Sequence, residues 1–111
     1  MEDIITRIIA RIEATAAENP DGFTVDQSGL QYRPTSGFAV GFKAFMNIQE
    51  ALEFLWPYPG CKLGGWVDQE TGVFHLDAVA VFQSRESAIN FGRCRNQIAI
   101  WDFGAQEEIR L

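Results

Sequence analysis

Leu63-Gly64-Gly65-Trp66-Val67-Asp68-Gln69-Glu70-Thr71-Gly72 runs directly into Val73-Phe74-His75-Leu76-Asp77-Ala78-Val79-Ala80-Val81-Phe82. This stretch reads as strand, tight turn, strand. Asp68 to Gly72 has the composition of a type I turn closed by a glycine in the left-handed conformation, the usual short hairpin solution. That turn sets Val67 opposite Val73, Gly65 opposite His75 and Leu63 opposite Asp77. On the returning strand Phe74, Leu76, Ala78, Ala80 and Phe82 share one face, and Val73, His75, Asp77, Val79 and Val81 share the other. Both faces are largely apolar, which predicts a central strand covered on both sides for much of its length. Trp66 is expected in the core.

Downstream, Ser84 is placed to cap a helix in which Ala88, Phe91 and Gly92 fall on one side, and Asn96 ends it because asparagine tolerates the left-handed region. Ile98-Ala99-Ile100-Trp101 is too short for a further helix and reads as an interior strand, with Ile100 in the core. Gly104-Ala105 turns the chain, and Glu108-Ile109-Arg110-Leu111 is expected to pair back as an edge. Upstream, Gly37-Phe38-Ala39-Val40-Gly41-Phe42 reads as a buried strand, with Gly41 leaving room for a neighbouring backbone. Asn47-Ile48-Gln49-Glu50 opens a helix in a capping-box arrangement, with Asn in place of Ser or Thr. Ile48, Ala51, Leu52, Leu55 and Trp56 supply its apolar face, and Pro57 and Pro59 stop it.

At the start of the chain Ile4, Ile5, Ile8, Ile9, Ile12 and Ala16 recur at helical spacing behind Asp3, a capping residue, and Asn19-Pro20-Asp21-Gly22 closes this amphipathic helix. Its isoleucine stripe must be covered, either by the sheet or by a second copy as a homodimer through Ile4–Ile12. Phe23 to Gln27 and Leu30 to Tyr32, joined at Ser28-Gly29, read as a short hairpin. The fold class is therefore α+β, one domain with an antiparallel or mixed sheet. From Gly37 onward the order is β-α-β-β-α-β, that of ferredoxin-like folds, with the first helix and hairpin added before it.

A chain of 111 residues with 47% hydrophobic and 13% aromatic residues has enough apolar surface for a core without staples. The formal net charge of −6 argues against broad electrostatic binding of nucleic acid, which relies on clustered Lys and Arg. Cys61 and Cys94 form no C-x-x-C pair and read as free thiols of a reducing compartment. With no signal peptide or membrane span expected, the sequence reads as cytoplasmic.

The chemistry is sparse. His75 and Asp77 share a strand face, and an imidazole beside a carboxylate suits acid–base work or metal binding, making them the weak catalytic candidates. A catalytic site would need a nucleophile or oxyanion site as well, and a metal site another ligand, so neither a metal nor a cofactor is expected. The bland reading has His75 hydrogen-bonded at the sheet surface opposite Gly65. Gly64 and Gly65 would let a ligand approach the backbone, although without the Gly-Lys-Ser/Thr ending of a phosphate-binding loop; close packing of Trp66 explains them as well. Arg85, Arg93 and Arg95 gather along one helix and its end. They would meet phosphate or an acidic partner, or complement the negative end of the helix dipole. Cys94 beside two arginines has a setting that lowers a thiol pKa, but no evident base accompanies it.

The segments Gly37-Phe38-Ala39-Val40-Gly41, Leu63-Gly64-Gly65-Trp66-Val67-Asp68, Thr71-Gly72, Leu76-Asp77, Arg85, Ala88 and Asn96-Gln97-Ile98-Ala99-Ile100-Trp101-Asp102 resemble a family of small uncharacterised bacteriophage and prophage proteins. The likeness covers roughly the last two thirds of the chain and leaves out the isoleucine-rich helix. It implies a phage context and expression in the host cytoplasm, and no particular reaction. The expected function is non-enzymatic binding to a host or phage protein, with inhibition of a host defence factor as one form. The alternatives are a small-molecule or nucleotide-binding protein or enzyme centred on His75 and Asp77, and a minor virion or assembly component.

Overall fold

The computed structural model describes residues 3–68 and 70–111. Three helices and six strands follow in the order α1 (Ile4–Glu18), β1 (Gly22–Val25), β2 (Phe38–Ala44), α2 (Ile48–Leu55), β3 (Lys62–Val67), β4 (Phe74–Phe82), α3 (Arg85–Cys94), β5 (Ala99–Asp102) and β6 (Glu107–Arg110). The strands form one antiparallel sheet in the order β1-β3-β4-β2-β5-β6, so β4 lies between β3 and β2 and is central, as its two apolar faces require.

The capping chemistry works locally. Asp3 accepts from the Thr6 amide at 2.7 Å, Asn47 from that of Glu50 at 2.9 Å, and Ser84 from that of Ser87 at 3.2 Å. Asn96 carries α3 into its exit at φ +56°. All three helices lie on the same side of the sheet. Leu63, Leu76 and Ala78 pack with Ala51, Leu52 and Leu55 of α2 and with Ile12 of α1, while Val40 and Ile100 pack with Ala88 of α3. Gly92 makes the second contact possible, because a β-carbon there would come within 2.6 Å of Leu111 and 3.2 Å of Ile100.

Four sequence expectations are corrected. The β3–β4 register is displaced by one residue: Val67 faces Phe74, Trp66 faces His75, Gly64 faces Asp77 and Leu63 faces Ala78. The loop is longer than the assumed turn, with the Asp68 amide bonded to the Val73 carbonyl at 2.9 Å and the Gly72 amide to that of Asp68 at 2.6 Å. Gly72 does adopt a positive φ, +74°; the turn type depends on Gln69, which lies outside the described residues. The Phe23–Tyr32 hairpin forms in short form, with a bridge between Val25 and Gln31 flanked by the Asp26 amide on the Leu30 carbonyl at 2.9 Å and the Tyr32 amide on the Thr24 carbonyl at 2.8 Å, while the other edge of β1 pairs with β3. Trp56 does not join the buried face of α2 but is 75% exposed, since the helix ends at Leu55 before Pro57. Ile100 is buried as expected, whereas Trp66 is half-buried and lies on the face opposite the helices. On α1, Ile12 is buried and Ile8 and Ile9 pack against the same core, but Ile4 is exposed.

The sheet curls. Arg110 on the β6 edge reaches Asp68, at the end of β3, with Nη2 to Oδ1 at 2.6 Å. Four interstrand steps of about 4.8 Å separate β3 from β6, so a flat sheet would hold them about 19 Å apart, beyond the reach of an arginine side chain. Two features favour the curl. A bulge between Gly41 and Lys43 displaces Phe42 toward the helices, where it lies 6.3 Å from the Phe54 ring and 6.4 Å from that of Phe91. The inner face of the curl carries small residues (Ala39, Gly41, Gly64) where the outer face carries Val40, Phe42 and Leu63.

Candidate functional site

The inner face of the curled sheet encloses a cleft of about 800 Å³. Strand alternation decides what lines it. With Leu76 and Ala78 committed to the helices, Asp77 and Val79 must face the cleft; with Leu63 committed, so must Gly64 and Trp66. β5 contributes Ala99 and Trp101, and β6 contributes Glu108. The segment after β1 closes one end. Tyr32 packs against the buried cluster of Ala39, Val79 and Phe103 and meets the Phe103 ring edge-on at 5.7 Å. Asp26 shapes this segment, with Oδ1 accepting from the Ser28 amide and hydroxyl at 2.9 and 2.6 Å and from the Leu30 amide at 3.1 Å.

Asp77 is the chemical centre. It is 7% exposed, and burial raises its pKa above the ordinary carboxylate value; the charge of His75 and a hydrogen bond from the Trp66 side chain oppose the shift without cancelling it. Among the described residues Asp77 enters no ion pair. Gly41 is explained here, and not by an approaching backbone as the sequence suggested: a β-carbon on Gly41 would come within 3.2 Å of the Asp77 side chain and 3.1 Å of Gln97 Oε1. His75 is stacked on Trp66, with ring centroids 4.8 Å apart and planes inclined by 21°. Its Nε2 is closed off from solvent and finds no hydrogen-bond partner among the described residues, which corrects the expectation of a hydrogen-bonded His75 opposite Gly65.

The two glycines of β3 part company. Gly65 makes room for the Phe23 ring, and Gly64 for Val79, whose Cγ2 would lie 2.7 Å from an added β-carbon. Both are therefore packing glycines, and Gly64 and Gly65 belong to a strand and not to an open loop. The basic groups on the inner face already have partners. Arg110 is held by Asp68 at 2.6 Å and by Glu108 at 2.7 Å, and the hydrogen bond from Arg110 keeps the Asp68 carboxyl below its ordinary pKa. Arg33 donates to Asn19 Oδ1 at 3.2 Å, and the Lys62 ammonium sits 4.8 Å from the centre of the Tyr32 ring.

Sequence reasoning found His75 and Asp77 and their shared face. It missed Trp101, Tyr32, Phe103 and the Arg110–Asp68 bridge, which separate strands and loops contribute. Arg85, Arg93 and Arg95 lie on the helix side, away from the cleft, all exposed; Arg95 stacks 4.9 Å from the centre of the Phe91 ring. Cys94 is exposed and Cys61 half-buried, both as free thiols. No group of three or more His, Cys, Asp or Glu side chains is gathered in metal-binding proximity among the described residues, and none of the described helices is long and apolar enough to cross a membrane. No family model, curated protein or solved structure matches the chain.

Proposed function

We propose that this protein is a binding protein for a small ring-bearing molecule, held in the inner cleft of its sheet. The observation that carries this reading is the cleft itself, about 800 Å³ in volume, lined by the aromatic side chains of Trp66, Trp101, Tyr32 and Phe103 and by the buried carboxylate of Asp77, which enters no ion pair among the described residues. Small-molecule sites have this make-up: a concave, mostly apolar wall and a few polar groups that fix orientation. Trp101 is 40% exposed although it sits on the concave face, so its surface is open to a ligand. Binding, and not catalysis, is the reading favoured for Asp77 and His75, since Nε2 of His75 is shut away beneath its neighbours. The test is a screen of aromatic fragments followed by two-dimensional NMR. Hits should shift the indole resonances of Trp66 and Trp101 and the amides of Gly41 and Gly64, leave Trp56 unmoved, and weaken on Trp101→Ala. The reading fails if no fragment perturbs these signals.

A second reading keeps the bacteriophage context, a host-cell cytoplasmic location and a host or phage protein partner. It is supported by Arg85, Arg93 and Arg95, exposed along α3 and its end and in no ion pair among the described residues. Charge reversal by Arg85→Glu with Arg93→Glu should then abolish partner capture while Asp77→Asn leaves it intact. For the fold, the adjacency β3-β4-β2-β5, with α2 and α3 on one side, supports reading the part from Gly37 onward as the ferredoxin-like arrangement.

A further inference from the structure

We infer that the cleft takes a planar cation, an amidinium, guanidinium or protonated ring nitrogen, whose charge sits against Asp77. This rests on the cleft being a ligand site and names the class of ligand. The first ground is the bookkeeping of charge on the inner face. Asp77 is buried and enters no ion pair among the described residues, and His75 is the one basic side chain whose charge acts on it. Three cations belong to elements around the inner face: Arg33 in the segment after β1, Lys62 on β3 and Arg110 on β6. Each is tied elsewhere, to Asn19, to the Tyr32 ring, and to Asp68 and Glu108 respectively. A buried carboxylate in that position is an incomplete pair, and a ligand cation completes it. Burial already disfavours the charged form of Asp77, so an anionic ligand would add a second desolvated negative charge at close range.

The second ground is the wall. Trp66 lies on β3 and Trp101 on β5, on either side of the β4–β2 centre of the sheet, and Tyr32 closes one end. Indole and phenol faces carry negative quadrupole density and attract cations, most strongly when water is excluded. Of the remaining charges that line the cleft, Asp21 and Glu108 are negative and Arg33 is positive, and Arg33 is exposed. His75 acts on Asp77 from the same strand, but its Nε2 is closed off beneath Trp66. A carboxylate offers two oxygens side by side to two parallel N–H donors, the pattern an amidinium or guanidinium presents.

Three probes of the same size test this: benzamidinium, benzamide and benzoate, each titrated against the intact chain by NMR with Trp66 and Trp101 as reporters and Trp56 as control. Benzamidinium should bind at least about tenfold more tightly than benzamide, the scale of one close charge pair, with benzoate weakest. Asp77→Asn should remove the preference for benzamidinium and keep the affinity for benzamide; Asp77→Ser makes the same comparison if the amide is not accommodated. Equal or tighter binding of benzamide or benzoate overturns the inference and leaves the cleft as a ligand site, with Asp77 then a neutral donor. A preference for benzamidinium that survives at both Asp77 variants also overturns it. No response to any of the three overturns the inference and the small-molecule reading together.

Discussion

The two faces of the sheet are made from alternate residues of the same strands, and they differ in almost every physical respect. On the helix side Leu63, Leu76, Ala78, Val40 and Ile100 are buried under α1, α2 and α3 with no polar group among them. On the inner side the same strands present Gly41, Gly64, Asp77, Trp66 and Trp101, and the three described helices all lie on the other face. The first face supplies hydrophobic burial, which is non-directional and set by area. The second keeps open volume, a desolvated carboxylate and half-exposed rings, all of which cost stability or contribute little to it. A curl toward one side reconciles them, because it crowds the inner residues and spreads the outer ones. Ala39, Gly41 and Gly64 inside, set against Val40, Phe42 and Leu63 outside, relieve both strains along β2 and β3.

The contrast is broken most directly by truncating the helix side. Ile100→Ala and Leu63→Ala are each expected to cost about 2–5 kcal/mol, since both sites are fully packed and leave a cavity. Trp66→Ala, half-buried on the inner face, should cost less than Ile100→Ala. Urea midpoints compared across the three variants decide it, and a larger loss at Trp66 would mean that the inner face is as much a core as the outer.

Next in size is the hairpin that joins β3 to β4. Gly72→Val is expected to lose about 1–3 kcal/mol, the cost of forcing a β-branched residue to positive φ, and Thr71→Val much less. Among the described residues nothing lies within 4 Å of a β-carbon at Gly72, so the loss is expected to come from backbone strain. Equal losses at the two positions, read from thermal melts, would contradict the conformation of this loop.

Smaller still is Trp101→Ala, for which the stability change should stay within about 1 kcal/mol because the ring is already half open to solvent. Its fragment binding should nevertheless fall. A stability loss as large as that of Ile100→Ala would show that the ring supports the fold instead of serving a ligand.

The finest test is pH. The folded state raises the pKa of Asp77 above the ordinary 3.8, so it favours the protonated carboxyl. The contribution of this group to stability is complete below that ordinary value and is lost as pH rises through the raised one. Asp77→Asn cannot ionise, so stability relative to wild type should shift in favour of the variant across that window and then level off. Asp68 runs the other way. The hydrogen bond from Arg110 lowers its pKa, so its contribution is present above the ordinary value and is lost as pH falls through the lowered one. Denaturant titrations of wild type, Asp77→Asn and Asp68→Asn from acid to neutral pH would reveal both slopes, and a flat difference for Asp77→Asn would place the carboxyl in solvent.

Much of the local structure was legible because it depends on short-range rules. Asp3, Asn47 and Ser84 cap helices through their own third neighbours, and Asn96 and Gly72 adopt the conformations their backbones tolerate. Period-two alternation assigned Leu76 and Asp77 to opposite faces without knowledge of a partner strand. Register was not legible: a loop one residue longer than assumed moves His75 from Gly65 to Trp66, and turn composition alone does not count that residue. Nor could the sequence pair β1 with β3 in addition to its neighbour Leu30–Tyr32, because pairing is decided by the free energy of the whole sheet. The cleft belongs wholly to tertiary structure. Tyr32, Trp66, Asp77 and Trp101 come from four separate segments, and the Arg110–Asp68 bridge joins residues 42 positions apart. By itself the sequence determined which residues cap, turn and alternate, since those choices are made within a few residues. Only the curl of the folded sheet decided which of them meet around Asp77, because that depends on strand order and on the sizes of side chains packed on its two faces.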